Sequence, residues 1–151
     1  MTRAYVGLGA NLGAREETLR RAVELLAAND SVEVVAESEL RETDPVGPVE
    51  QPSFLNGVIA VETTLTAREL LDLLLAIEHE LGRVRAERWG PRTVDLDLLV
   101  YGTATIDQPG LRVPHPYLHE RRFVLEPLAE LDPELVVPGR GRVADALAAL
   151  D

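Results

Sequence analysis

A chain of 151 residues, 46% hydrophobic and 27% charged, has the length of one globular domain and enough apolar content to form a core without metal or disulfide staples. It has no cysteine and all 15 basic residues are arginine, which excludes disulfide frameworks, thiolate nucleophiles and Cys-ligated metals, and equally Schiff-base lysines and the lysine of a Walker A loop. Against 26 acidic residues the net charge is −11, a surface that repels nucleic acid.

The first residues run straight into an apolar segment with no signal-peptide pattern, and Leu70 to Ile77, interrupted by Asp72, is too short to span a bilayer. A cytoplasmic monomer with no membrane or nucleic-acid partner is therefore expected. Ala4 to Gly9 reads as a buried strand closed by glycine, and the glycines from Gly7 to Gly13 as a tight strand-to-helix turn. Leu19, Val23 and Leu26 then give residues 15–28 a helical stripe, with Asn29 as its stop. Val32, Val34 and Ala36 alternate with polar neighbours in a half-exposed strand reaching about Leu40. From Arg41 to Phe54 no period survives, and Pro45, Gly47, Pro48 and Pro52 predict a long functional loop.

Asn56 to Thr63 alternates as another strand. Thr66-Ala67-Arg68-Glu69 has the form of a capping box and opens a helix with Leu70, Leu74, Ile77 and Leu81 along one stripe and Gly82 as its cap. After an arginine-rich loop, Thr93 to Tyr101 alternates once more. The tail is punctuated by prolines, Pro127 among them, into short helices, the last over Val143 to Leu150. Strand, helix, strand, strand, helix, strand is the order of a ferredoxin-like split βαβ, an α+β fold with an antiparallel sheet and helices packed against it. A doubly wound parallel sheet is the weaker alternative, because no helix separates the second and third strands.

The run from Arg88 to Leu99 carries the strongest chemical signal. Asp95 and Asp97 share one strand face with Cα atoms roughly 6.6 Å apart, and two carboxylates so close call for a cation between them. An isolated pair of this kind is more often a solvated strand face. Here Arg83, Arg85, Arg88 and Arg92 crowd the preceding ten residues of an otherwise acidic chain, and arginine forks match phosphate oxygens. Carboxylates that hold magnesium beside such a cluster suit a polyphosphate. Trp89, the sole tryptophan, lies in this loop and favours stacking or loop closure. Glu78 follows Leu71 and Leu75 on one helix face and is a weak candidate alone. Phe54 and Asn56 offer a stacking face and a donor–acceptor edge, or equally a core ring and a turn amide. His115, between Pro114 and Pro116, cannot sit inside a regular helix or a central strand, while His79 and His119 read as exposed helical residues without a role.

Gly9-Ala10-Asn11-Leu12-Gly13, Pro45-Val46-Gly47-Pro48 with Gln51-Pro52 and Phe54-Leu55-Asn56, the Arg88–Leu99 run, and Val113-Pro114-His115 with Arg121 and Phe123 together resemble the 6-hydroxymethyl-7,8-dihydropterin pyrophosphokinase family along nearly the whole chain. The resemblance implies a ferredoxin-like fold and transfer of pyrophosphate from ATP to the pterin hydroxymethyl group, with release of AMP. It implies that Asp95 and Asp97 hold two magnesium ions, and that Arg83 and Arg92 contact the triphosphate and assist transfer. Glu78, Arg85, Leu98, His115 and Arg121 correspond to positions around ATP, with Tyr117 standing in for an aromatic that Pro116 displaces. Phe54 and Phe123 correspond to an aromatic pair enclosing the pterin, Thr43 and Asn56 to residues bonding its edge, and Val46 to a loop residue over the ring. Trp89 corresponds to the tryptophan of a closing loop beside both substrates. Ala10, Asp44 and Leu75 depart from the residues usual at their positions. A metal-dependent nucleotide phosphohydrolase and a non-catalytic nucleotide sensor are the rival readings.

Overall fold

A computed structural model describes residues 1–10, 15–43, 54–83 and 94–150; the side chains of Arg15 and Arg83 lie outside that description. The elements are β1 (Thr2–Ala10), α1 (Arg15–Ala27), β2 (Val32–Glu37), β3 (Arg41–Thr43), β4 (Phe54–Thr63), α2 (Ala67–Arg83) and β5 (Asp95–Tyr101). Next come β6 (Ile106–Gln108), β7 (Leu111–Val113), a 3-10 turn (Leu118–Glu120), α3 (Arg122–Leu131), β8 (Val136–Val137), β9 (Gly141–Arg142) and α4 (Val143–Ala148). The main sheet runs β2-β4-β1-β5, antiparallel throughout, with β3 also paired to β4. This is the ferredoxin-like arrangement expected from the element order.

Strand alternation sends side chains to two helix layers. On one face Ala4, Val6 and Leu8 of β1 and Ile59 and Val61 of β4 pack under Leu19 and Leu26 of α1 and Leu70, Leu74 and Ile77 of α2. Each of those large side chains contributes roughly 1.5–3 kcal/mol by leaving water. On the other face Tyr5, Val58, Ala60 and Leu99 pack under Val124, Leu125 and Leu128 of α3 and Val143 of α4. The second layer is built from the tail. A register shift between Tyr5 and Val6 inserts Leu99 as an extra residue in β5, so Leu98 faces one layer and Leu99 and Val100 the other.

The capping box forms as its sequence predicts: the Glu69 N–H donates to Thr66 Oγ1 at 3.1 Å and the Thr66 N–H to Glu69 Oε1 at 2.9 Å. Several other expectations need correction. Arg41–Thr43 is a strand paired with Phe54–Asn56, not loop, while residues 44–53 lie outside the described residues. β2 ends at Glu37 because the chain then steps across Gly57, where a Cβ would meet Leu40 Cδ2 at 2.8 Å and Ser38 Oγ at 3.2 Å, so a side chain there would have to push Leu40 aside. α2 continues through Gly82 to Arg83, since the glycine keeps a helical conformation and its left-handed option goes unused. Pro127 lies buried within α3, where its ring removes the bond that the Phe123 carbonyl would otherwise accept. Gly7 and Gly9 lie in β1, as the strand expected from Ala4 to Gly9 requires, and belong to no turn; the rest of the turn expected from Gly7 to Gly13, residues 11–13, lies outside the described residues.

Candidate active site

The two carboxylates are placed by register. Asp95 lies opposite Gly9 and Asp97 opposite Gly7, while on the other side of β1 Gly9 lies opposite Asn56. β1 therefore presents no side chain at these two positions, and the acids of β5 look across bare backbone to the amide of β4. Two strand spacings separate Asp95 from Asn56, about 9.6 Å between backbones, a width that admits a flat bicyclic ring. Gly7, Gly9, Thr43, Phe54, Asn56, Asp95, Asp97, Arg121 and Phe123 line this cavity of about 340 Å³.

Asn56 is 8% exposed, and its Nδ2 donates to Thr43 Oγ1 at 2.6 Å. That bond fixes the amide orientation and ties β3 to the cavity wall. At the mouth the Arg121 guanidinium stands over two rings, 5.5 Å from the Tyr117 centroid and 5.7 Å from that of Phe123. Such contacts are worth about 0.5–1 kcal/mol when exposed and hold the side chain at the rim.

A second cavity of about 480 Å³ opens between α2, β5 and the segment through Pro116. Leu71, Leu75 and Glu78 line it from α2, so the helix face inferred from their spacing is real. Leu98, Gly110, Arg112, His115 and Pro116 line the opposite side, and Asp97 lines both cavities. Among the described residues β5 is the outer strand of the main sheet, so part of its backbone has no strand partner there. The Leu96 N–H donates instead to Glu78 Oε2 at 2.7 Å, joining α2 to the strand that carries both aspartates.

His115 follows the cis Val113–Pro114 peptide and is tied back to β5 by its N–H, which donates to the Leu99 carbonyl at 2.9 Å. Its Nδ1 accepts from the Tyr117 N–H at 3.3 Å, so the neutral ring carries its proton on Nε2. Burial holds the imidazole below its ordinary titration range, Arg121 pushes the same way, and Asp97 opposes both. His119 is half-buried on the 3-10 turn rather than exposed on a helix, with Nε2 at 3.5 Å from Arg140 Nη1. His79 is exposed on α2.

The candidate residues thus divide. Thr43, Phe54, Asn56, Asp95, Asp97, Arg121 and Phe123 gather round the smaller cavity, and Glu78, Asp97, Leu98 and His115 round the larger. Arg121, matched to the nucleotide by resemblance, lines the smaller one. Tyr117 is exposed beside it. Arg83 ends α2 with its side chain outside the described residues, where Val46, Arg85, Trp89 and Arg92 also lie. Sequence reasoning missed Gly7 and Gly9 as cavity floor; the signal available was a pair of glycines two apart in a strand, where side chains are normally wanted. A wider groove of about 960 Å³ between α1 and β2 contains none of the candidates.

Among the described residues no three His, Cys, Asp or Glu side chains converge as metal ligands. Two carboxylates on one strand face do not make a closed protein cage. They do fit hard cations such as magnesium, which take one or two carboxylates and complete their shell with water and phosphate oxygens.

Fold and site together define a ferredoxin-like α+β protein with an acid pair at the junction of two small-molecule cavities. The family model for 7,8-dihydro-6-hydroxymethylpterin-pyrophosphokinase (HPPK) matches residues 5–133, and the chain belongs to that family. It is 49% identical over 151 residues to a 2-amino-4-hydroxy-6-hydroxymethyldihydropteridine pyrophosphokinase of Methylorubrum extorquens, covering 100% of this chain and 95% of the relative. Relatives of the same name share 47% identity in Pseudomonas aeruginosa (97% of this chain, 91% of the relative) and 51% in Bacillus subtilis (85% and 77%). Among solved structures, Plasmodium falciparum HPPK-DHPS A437G with STZ-DHP superposes with a TM-score of 0.78 at 13% identity, covering 98% of this chain and 45% of that longer one. That likeness concerns the fold.

Proposed function

We propose that this chain, as one pyrophosphokinase domain, transfers the pyrophosphoryl group of ATP to the hydroxymethyl oxygen of 6-hydroxymethyl-7,8-dihydropterin. The hydroxymethyl oxygen bonds to the β-phosphorus, the bond from that phosphorus to the α–β bridging oxygen breaks, the hydroxyl proton is released, and AMP departs. The observation that carries the reading is the position of Asp97 on the boundary of both cavities, with Asp95 beside it. A pterin in the smaller cavity and a nucleotide in the larger would bring their reacting ends together at that seam.

The pterin ring lies between Phe54 and Phe123, and Asn56, held by Thr43, reads its edge with one donor and one acceptor. The nucleotide lies against Leu75, Leu98 and His115, with Glu78 holding the strand beneath its phosphates. Arg121, whose charge stays beside the cavity mouth, faces the developing negative charge. Asp95 and Asp97 would hold two magnesium ions, which when bound neutralise the phosphates and ease loss of the hydroxyl proton. Arg83 and Arg92 would contact the triphosphate and assist transfer, Arg85 and Trp89 the nucleotide, and Val46 and Trp89 the pterin, the roles that the family resemblance implies.

Release of AMP from ATP and magnesium, measured with and without the pterin, tests this reading. Pterin-dependent AMP is expected. Turnover of ATP without pterin supports a phosphohydrolase instead, and nucleotide binding without any turnover a sensing module.

A further inference from the structure

Thr43 and Phe123 stand on elements that do not pair with one another, β3 and α3, yet the gap between them sets the room left for a ring. Both elements extend away from the cavity along defined faces. Arg41 shares Thr43's face of β3, two residues back, and Glu130 shares Phe123's face of α3 two turns on, about 10.5 Å along the axis.

These outlying residues meet. Arg41 Nη2 donates to Glu130 Oε1 at 2.7 Å, and Glu130 Oε2 accepts from the Glu39 N–H at 2.9 Å. One carboxylate therefore grips both β3 and the step that leads into it. The pair is two-thirds shielded, with side chains 32% and 31% exposed. Arg41 Nη1 is buried and has no hydrogen-bond partner among the described residues, so losing Glu130 would leave that guanidinium poorly compensated. Arg41 lies opposite Asn56, the residue whose amide bonds Thr43. A displacement of β3 thus reaches the donor–acceptor edge directly.

We propose that Glu130 is a positioning residue for ring recognition: by clamping β3 to α3 outside the cavity, it sets the spacing between the Thr43–Asn56 edge and the Phe123 face. This rests on the pterin reading of the smaller cavity. The nucleotide cavity is lined from α2, β5 and the β7 side, none of which Glu130 contacts through these bonds, so its effect is selective.

Calorimetric titration of Glu130→Gln with the pterin, and separately with an unreactive ATP analogue plus magnesium, tests the assignment. The pterin Kd rises about ten-fold and the analogue Kd stays within about two-fold. In steady state the pterin KM carries the change and kcat at saturation does not. In a Thr43→Val background the penalty of Glu130→Gln shrinks, because the clamp acts through Thr43. Should Glu130→Gln fail to fold, Arg41→Met with Glu130→Leu removes both charges together and must show the same selective loss. Equal weakening of both ligands, or an unchanged pterin Kd, in a protein whose parent binds the pterin overturns the clamp alone. A parent that does not bind the pterin overturns the functional reading and the clamp with it.

Discussion

A methyl group on Gly9 is the sharpest probe of the cavity floor. Gly9 lies in β1 between Asp95 and Asn56, and an ideal Cβ there falls 2.9 Å from Asn56 Oδ1. Its φ is not positive, so alanine meets no backbone strain and the amide must move instead. Moving it stretches or breaks the 2.6 Å bond to Thr43, about 1 kcal/mol, and drives Asn56 off its rotamer at about 0.5–1.5 kcal/mol. The lower unfolded-state entropy of alanine offsets roughly 0.4–1 kcal/mol of this. Net destabilisation is then about 1 kcal/mol, a fall in Tm of roughly 2–4 °C. Pterin recognition suffers more, because a displaced amide leaves a buried ring edge unpaired. That costs about 1–3 kcal/mol, or about 5- to 150-fold in Kd. Calorimetry with the pterin and with an ATP analogue separates the two cavities, and Gly7→Ala is the comparison, since its Cβ falls 3.4 Å from a Leu99 methyl, an ordinary van der Waals contact. Parent-like pterin affinity in Gly9→Ala, or an equal loss of nucleotide affinity, would refute the claim that Asn56 reads the ring across Gly9.

Asp97→Asn should lower the transfer rate by at least about 10²-fold while leaving Tm unchanged or slightly higher, because one of two neighbouring like charges is removed; near-parental AMP release with magnesium would exclude the role. His115 is held below its ordinary value, near 6.5, chiefly by burial, so the folded state resists protonation. Its contribution to stability is full above about pH 6.5 and is lost as pH falls through the lowered folded-state value; His115→Gln should flatten that acid limb in Tm-against-pH scans with chelator present, and parallel curves would contradict it. Glu78→Ala removes the acceptor of the Leu96 N–H and should cost about 1–3 kcal/mol with weaker ATP-analogue binding, both readable by denaturation and calorimetry. Thr66→Ala should cost about 1 kcal/mol and leave AMP formation unchanged, since the capping box lies away from both cavities.

The sequence made visible what short-range periodicity encodes. Alternation placed Asp95 and Asp97 on one face, and helical spacing aligned Leu71, Leu75 and Glu78, all of which line the cavities. The capping box of Thr66 and Glu69 needs only four residues to read. The β3 strand escaped because three residues show no period and its partner, Phe54–Asn56, lies past a proline-rich stretch. The strand from Ala4 to Gly9 was legible, but the use of Gly7 and Gly9 as cavity floor was not, because a glycine's value in a strand lies in what it leaves open, which depends on the neighbouring strands. Of the second helix layer, the terminal helix from Val143 was legible, while the continuity of α3 was hidden by Pro127, tolerated where the Phe123 carbonyl can forgo its helical bond. Arg41 and Glu130 carry no local pattern, and only the packing of α3 on the sheet joins them.

A structure of the protein with magnesium, an unreactive ATP analogue and the pterin tests the central claim most directly. The account predicts the triphosphate lying along Asp95 and Asp97, its β-phosphorus facing the pterin hydroxymethyl group across Asp97. A triphosphate bound elsewhere, with both carboxylates meeting only water, would contradict it.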